Sequence, residues 1–352
     1  MTRRKMGATS PADPKLKNHH HHQHHVPVIE EIEGLIRVYA DGHVERFPIM
    51  PQVLSTALPT NAEVQCEDTI IDRSTHVWAR IYVPNNPTHD REKLPLLVYF
   101  HGGGFCVGSA AWACYHDFLA RLASVAGCIV VSVNYRLAPE HRLPAAYDDG
   151  LTALKWVRRQ RGDDANPGEQ SWWRSRCDFA SVFVGGDSAG ACIAYNAVAA
   201  RSAPRVRGLV LIHPFFGGEA RTASERRYAR EPNSALSLSA SDAYWRMALP
   251  AGAGRDHPWC DPLMAAGKSW RGMPAMFVGV AEIDVLRDRN AEFCAAMRRA
   301  GVGVVQVMSA GVGHAFHVLH SSQLAQQRRR ELMLQVKDFI LNRELEANLF
   351  ID

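Results

Sequence analysis

From residue 94 onward, short runs that are apolar at nearly every position alternate with longer segments of helical spacing, and this alternation restricts the fold more than any other feature of the chain. The runs are Leu94 to Phe100, Cys128 to Val133, Ser181 to Val184, Leu209 to Ile212, Ala275 to Val280 and Val304 to Met308. A strand with one wet face alternates apolar and polar residues, so a continuous apolar run belongs to a strand covered on both faces. Between the runs, Tyr115 to Ala126, Ala145 to Arg159, Ala189 to Ala203, Ala291 to Ala300 and Leu324 to Asn342 carry helical patterns. The expected class is α/β, with a mostly parallel central sheet flanked by helices. Ahead of it, Leu35 to Tyr39 and His43 to Phe47 around Ala40-Asp41-Gly42, and then Val64 to Ile71 with Val77 to Val83, read as antiparallel pairs at one edge of that sheet. The stretch from Gly217 to Gly272 breaks the alternation; it holds a short helical pattern, Ser241 to Leu249, closed by Pro250, and reads as an inserted cap.

The composition fits a soluble globular protein of one large or two smaller domains, with 47% hydrophobic and 22% charged residues in 352. The formal charge of +4 comes from 40 basic and 36 acidic residues spread along the sequence, so no field of one sign points to nucleic acid or a membrane. A small neutral or mildly anionic ligand is expected. Cys66, Cys106, Cys114, Cys128, Cys177, Cys192, Cys260 and Cys294 are scattered without CxxC spacing and read as free thiols, mostly buried. Residues 1–26 are low in complexity and end in the run His19 to His25, interrupted by Gln23. Clustered imidazoles can hold a soft divalent metal, but a solvated tail is the simpler reading. Met1 to Asp13 lacks an apolar stretch of signal-peptide length and nothing later reaches membrane-spanning length, so a cytoplasmic, and also nuclear, location is expected. The domain reading is a tail over 1–26 and one domain over 27–352, with cap segments at about 28–60 and 217–272.

Gly186-Asp187-Ser188-Ala189-Gly190 fits G-x-S-x-G at the end of an apolar strand and the start of an alanine-rich helix, the context in which that pattern presents a nucleophilic serine on a strained turn. His101-Gly102-Gly103-Gly104 follows the strand ending at Phe100; residues without side chains there let backbone N–H groups face a substrate oxygen. Gly103, Gly104 and Ala189 are the candidate oxyanion donors. A serine hydroxyl needs a base, and the base needs a carboxylate that fixes its tautomer. In the chain order serine, acid, histidine, the candidates after the strand ending near Val280 are Glu282, Asp284 and Asp288, and Asp284 stands in the strand-to-helix turn. Gly311-Val312-Gly313-His314 places His314 in a glycine loop before the closing helix; His317 and His320 follow at spacings of three and read as packing histidines rather than a metal face. Gly267-Lys268-Ser269 imitates the end of a phosphate loop, but Pro262 stands where the first glycine would be, and no GxGxxG follows a strand. No cofactor and no metal are called for.

Four segments in order carry a family resemblance: Tyr99-Phe100-His101-Gly102-Gly103-Gly104-Phe105, Asn134 through Glu140 (Asn-Tyr-Arg-Leu-Ala-Pro-Glu), Gly186 through Gly190, and Asp284-Val285-Leu286-Arg287-Asp288. The chain resembles the hormone-sensitive-lipase group of carboxylesterases, and within it the plant branch, from about Val28 to the last helix. The resemblance implies an α/β-hydrolase fold, a serine carboxylesterase working on a small-molecule ester without a cofactor, and an N-terminal segment, Val28 to Arg46, that helps to lid the pocket. Asp148 and Asp149 are assigned packing rather than chemistry. The same branch includes the gibberellin receptor, which lost the histidine, and a dehydratase with threonine at the nucleophile. Ser188 and His314 are both present here, so the resemblance implies a working hydrolase; a non-catalytic hormone receptor on the same fold is the alternative. Some members hydrolyse strigolactones, which makes a hormone or specialised-metabolite ester the narrower expectation.

Overall fold

The computed structural model describes residues 26–59, 62–85, 93–162, 171–264, 270 and 272–342. The histidine run and Gly267-Lys268-Ser269 lie outside them. The chain opens with three short strands, β1 (Val28–Ile32), β2 (Ile36–Tyr39) and β3 (Val44–Arg46), followed by β4 (Val64–Asp72) and β5 (Val77–Pro84). The alternating part then runs β6 (Leu94–Phe100), α1 (Ala113–Ala126), β7 (Ile129–Asn134), α2 (Ala145–Arg159), α3 (Ser171–Arg174), β8 (Cys177–Asp187), α4 (Ala189–Ala199) and β9 (Gly208–Ile212). After the interruption, which holds α5 (Ala223–Arg227) and α6 (Leu238–Ala248), come β10 (Ala275–Ile283), α7 (Arg287–Arg299), β11 (Val304–Gly313), α8 (Phe316–Leu319) and α9 (Gln323–Leu341).

Eight strands form one sheet in the order β11-β10-β9-β8-β6-β7-β5-β4. β5 is antiparallel to both its neighbours and the other pairings are parallel. This is the expected α/β architecture. Every residue of β6 and β9 is buried, because helices cover both faces of the sheet and no position along these strands is left to water. α1 ends where Gly127 enters the left-handed region at φ 60° and its N–H bonds the carbonyl of Ala123, a turn that delivers the chain straight into β7.

The N-terminal hairpin differs from its expected place. β4 and β5 do form the edge of the large sheet, but β2 and β3 join β1 in a separate three-stranded sheet. β1 pairs with β2 through Ile32↔Ile36, and Ile32, Ile36 and Val38 turn inward to the main hydrophobic core. With that face buried against the domain and β4 already on the edge of the large sheet, the hairpin has its own layer. Two runs also extend beyond their apolar cores. β8 starts at Cys177, through a register shift opposite Leu94 and Leu96, and β11 continues to Gly313 although much of it is exposed.

The order of strands fixes where chemistry can occur. β6 lies between β7 and β8, so the connections leaving β6 and β8 diverge to opposite sides of their common edge. In an open parallel sheet a crevice opens at the carboxyl ends of strands at such a switch point. The segments delivered to this crevice are His101 to Gly104, after β6, and Ser188, after β8.

Candidate active site

Ser188 is held at φ 54°, ψ −120°, a conformation that costs a non-glycine residue of the order of 1–3 kcal/mol and survives only where its surroundings impose it. The surroundings here are explicit. Its N–H bonds the Ile212 carbonyl at 2.8 Å, tying the turn to β9. Gly186 and Gly190 pass so close that a Cβ on Gly190 would lie 2.0 Å from the Phe100 carbonyl oxygen, and one on Gly186 would lie 2.5 Å from the Gly190 backbone. The two glycines are therefore required by backbone contact across the turn.

His314 Nε2 lies 2.9 Å from Ser188 Oγ, and His314 Nδ1 lies 2.7 Å from Asp284 Oδ2. Leu286 N–H donates to Asp284 Oδ1 at 3.0 Å, and Ser234 Oγ accepts the His314 N–H at 3.1 Å. Burial alone would raise the Asp284 carboxyl; the charge and hydrogen bond of His314 and the Leu286 N–H outweigh it and hold the group below the ordinary aspartate value. An ionised Asp284 accepts only, so it places a proton on Nδ1 and leaves the Nε2 lone pair facing the serine hydroxyl. The competing carboxylates are engaged elsewhere. Glu282 accepts the Gly311 N–H at 2.8 Å, and Asp288 accepts the Ser224 N–H at 2.7 Å and pairs with Arg287.

Gly103 and Gly104 occupy positive φ, at 109° and 59°. The aim of their N–H groups follows from the carbonyls on the same peptide planes, because in a planar trans peptide C=O and N–H point in opposite directions. The Gly103 carbonyl accepts from the N–H groups of Cys106 and Val107, each at 3.0 Å, which turns the Gly104 N–H the other way. The Gly102 carbonyl is 2.8 Å from His101 Nδ1, which likewise sets the Gly103 N–H. Burial lowers His101 to about 4, so its ring is neutral at neutral pH and Nδ1–H is the donor. The ring is stacked on Tyr135 at 4.3 Å between centroids. Ala189, the third candidate, is the first residue of α4, where backbone N–H groups have no intrahelical acceptor and the helix dipole favours negative charge.

Gly103, Gly104, Ser188 and His314 share a cavity of about 270 Å³ whose other walls are mainly apolar, with Leu35 and Ile49 from the N-terminal segment, Trp112 and Tyr115 from around the start of α1, Leu236 and Tyr244 from the interruption, and Leu319 from α8. Several of its supports carry no signal in the sequence. Asp187 is buried against the tyrosines of two different elements: Tyr99 donates to it at 3.0 Å and Tyr115 at 2.9 Å, and Tyr115 in turn accepts the Gly102 N–H at 2.8 Å. Burial pushes this carboxyl up to about 6, against the pull of the two hydroxyls. Its place beside Ser188 in Gly186 to Gly190 could have drawn notice; nothing in the sequence pointed to Tyr115. His213 stands behind His314, with ring centroids 5.6 Å apart, and burial, reinforced by His317 and His314, keeps it neutral.

The remaining candidates fall outside the chemistry. His317 is buried on α8 and His320 ends that helix. The side chains of metal-ligand type brought together among the described residues are His213, Asp284 and His314, not a His314, His317, His320 face. Asp149 is buried and takes the Arg136 N–H and guanidinium, a packing role as expected. All eight cysteines are free, and seven are buried.

A mostly parallel sheet with one reversed strand, a strained serine at its switch point and a histidine–carboxylate relay after its last strands together define the α/β-hydrolase class. A family model described as alpha/beta hydrolase fold matches residues 97–318, and the chain belongs to that family. It is 47% identical over 95% of its length to "Probable carboxylesterase 6" of Arabidopsis thaliana, covering 98% of that protein, and 35% identical to "Carboxylesterase 20" of the same plant over 81% of this chain and 87% of that one. Among solved structures it resembles the esterase of Pyrobaculum calidifontis, with a TM-score of 0.66 and 31% identity over 81% of this chain and 86% of that one. The chain is a carboxylic ester hydrolase of the plant hormone-sensitive-lipase type. None of its described helices is long and apolar enough to cross a membrane.

Proposed function

We propose that the protein is a serine carboxylesterase that works through an acyl-enzyme, with Ser188 as nucleophile, His314 as general base and acid, Asp284 as the group that orients it, and the N–H groups of Gly103, Gly104 and Ala189 as the oxyanion hole. The observation that carries the reading is the continuous relay from Asp284 to His314 at 2.7 Å and on to Ser188 at 2.9 Å, ending on a serine in a strained turn. His314 Nε2 takes the hydroxyl proton as Oγ bonds to the ester carbonyl carbon, and the charge on the former carbonyl oxygen falls among the backbone donors. Collapse breaks the bond to the alcohol, which leaves with the proton from His314. Water then loses a proton to His314, attacks the acyl-serine, and releases the acid with Ser188 restored.

The cavity supports a compact and largely apolar ester, since among the described residues no lysine or arginine lines it. The N-terminal sheet and the segment around α6 act in this reading as the cap, because Leu35, Ile49, Leu236 and Tyr244 close the cavity over Ser188. A plant hormone or specialised-metabolite ester such as a strigolactone is the narrower form of the proposal and rests on the resemblance. A cytoplasmic or nuclear location belongs to the same reading. The test is a panel of aryl esters of increasing acyl length together with hormone lactones, assayed on wild type and Ser188→Ala. Steady-state product that disappears in Ser188→Ala supports the reading; saturable binding without turnover would replace it with a receptor.

A further inference from the structure

We propose that Arg46, contributed by the N-terminal sheet, is a positioning residue for the oxyanion hole, so that this sheet sets the rate of the chemical step as well as roofing the pocket. The inference rests on the assignment of Gly103 and Gly104 made above.

Arg46, at the end of β3, binds two loops at once. Its Nε donates to the Cys106 carbonyl at 2.6 Å, one NH2 group donates to the Ala138 carbonyl at 2.9 Å, and both NH2 groups form a bidentate pair with Glu140 at 2.7 and 2.6 Å. Cys106 belongs to the turn that follows the glycine triplet, and Ala138 and Glu140 to the loop after β7. A further bond joins the loops directly, from Ala138 N–H to the Phe105 carbonyl at 2.9 Å.

The consequence for the site follows peptide by peptide. The N–H groups of Cys106 and Val107 hold the Gly103 carbonyl, and that carbonyl shares its peptide plane with the Gly104 N–H. Arg46 Nε grips the Cys106 carbonyl, which shares its plane with the Val107 N–H, one of the two donors holding Gly103. The direction of the Gly104 N–H is thus set two peptide planes away by a guanidinium from another sheet. There is little slack in between: Phe105 stands at φ 65°, and a Cβ on Gly103 would lie 2.1 Å from the Val107 carbonyl oxygen. A flat fork with fixed donors suits this task, and a lysine ammonium cannot reproduce it, because it can neither form the bidentate pair with Glu140 nor keep Nε on Cys106.

A roof and a positioning group fail differently. Loosening a wall weakens substrate binding and raises KM; misaiming an oxyanion donor weakens only what forms in the transition state and lowers kcat. Arg46→Ala should lower kcat by about 10- to 100-fold, less than the loss of a whole donor, with KM changed by less than about threefold. Arg46→Lys should recover part of kcat. Ile49→Ala, which trims the cavity wall just beyond the same strand, should raise KM with kcat within about twofold. Binding of an aryl trifluoromethyl ketone, which forms an oxyanion on Ser188, should weaken in Arg46→Ala in step with kcat/KM, whereas an unreactive amide of the same shape should bind as to wild type.

If Arg46→Ala raises KM and leaves kcat within about twofold, or lowers kcat without weakening the ketone, the inference is wrong and Arg46 is only a latch. Should Arg46→Ala not fold, Arg46→Lys and Glu140→Gln are read in the same way; unchanged kcat and ketone affinity in both would equally overturn it. Wild type without turnover that depends on Ser188 would instead sink the assignment of the site, a failure distinguishable from this one.

Discussion

Replacing Asp284 by asparagine tests the relay with nearly no change in volume, and the structure dictates which way the new amide faces. Asp284 Oδ1 accepts the Leu286 N–H at 3.0 Å. Turning an NH2 group toward that donor would leave two N–H groups opposed in a pocket where Asp284 is 1% exposed, so the amide oxygen keeps the Leu286 side and the NH2 group faces His314. The imidazole must then present a lone pair at Nδ1 and carry its proton on Nε2, the nitrogen 2.9 Å from Ser188 Oγ. In that tautomer the ring cannot accept the serine proton. A misassigned tautomer of this kind costs about 10⁴-fold in kcat, which corresponds to about 5 kcal/mol of barrier. Asp288→Asn is the control. Its oxygen can still accept the Ser224 N–H, and only a partly exposed pair with Arg287 is lost, so turnover should stay within about threefold and stability within about 1 kcal/mol of wild type. The assay is kcat and KM on a short-chain aryl ester at neutral pH, with circular dichroism to confirm the fold. Retention of more than about one tenth of wild-type kcat in Asp284→Asn, or an equal loss in Asp288→Asn, would refute the assignment.

Ser188→Ala should lower turnover by several orders of magnitude and abolish the single covalent adduct that an organophosphate leaves on wild type, with melting nearly unchanged because the hydroxyl carries little packing and alanine keeps the same strained backbone. An adduct retained in that variant would move the nucleophile elsewhere. Gly104→Ala should lower kcat by about 10²- to 10³-fold, the worth of one oxyanion donor, because its φ is 59° and a Cβ there would lie 2.3 Å from the Tyr244 ring. Shortening the obstacle in the double variant with Tyr244→Ala should restore little, since the left-handed backbone remains unfavourable; full recovery would show that the clash alone mattered. Asp187 bears on stability against pH. Burial raises its carboxyl from 3.8 to about 6, so between those values the folded chain holds a proton that the unfolded chain has lost. Its contribution is therefore fully present below about pH 4 and is lost as pH rises through about 6, a difference of about 3 kcal/mol at 1.36 kcal/mol per pH unit. His101, lowered by burial to about 4, acts in the opposite sense over nearly the same window, so the test is the difference in unfolding free energy between wild type and Asp187→Asn. That difference should move against wild type from about pH 4 to about pH 7; a flat difference would mean that Asp187 is already ionised in the folded state.

The sequence by itself determined the architecture and the chemical groups. Continuous apolar runs can be satisfied only by strands covered on both faces, and their alternation with helices leaves few topologies; β6, β7, β9 and α2 lie where these patterns place them. Ser188, Asp284 and His314 could be nominated for the proposed triad because each stands in a strand-to-helix turn marked by local chemistry, in the order this class of fold uses. What the sequence left open involved partners distant along the chain. The preference for Asp284 over Asp288 came from its place in the turn, and the fold adds the partner that the sequence could not show, His314 at 2.7 Å; the separate N-terminal sheet was decided by which edge of the large sheet was already taken. Tyr115 and Tyr244 have no periodicity or motif of their own that speaks of function, and although Tyr135 and Arg46 fall in segments that carry the family resemblance, nothing there says what they touch. They act through contacts such as Tyr115 with Asp187, 72 residues apart, and Arg46 with Glu140, 94 residues apart. Local sequence sets propensity and the order of strands, but the direction of a backbone N–H depends on what holds the carbonyl of the same peptide plane, and only the assembled fold brings that partner into place.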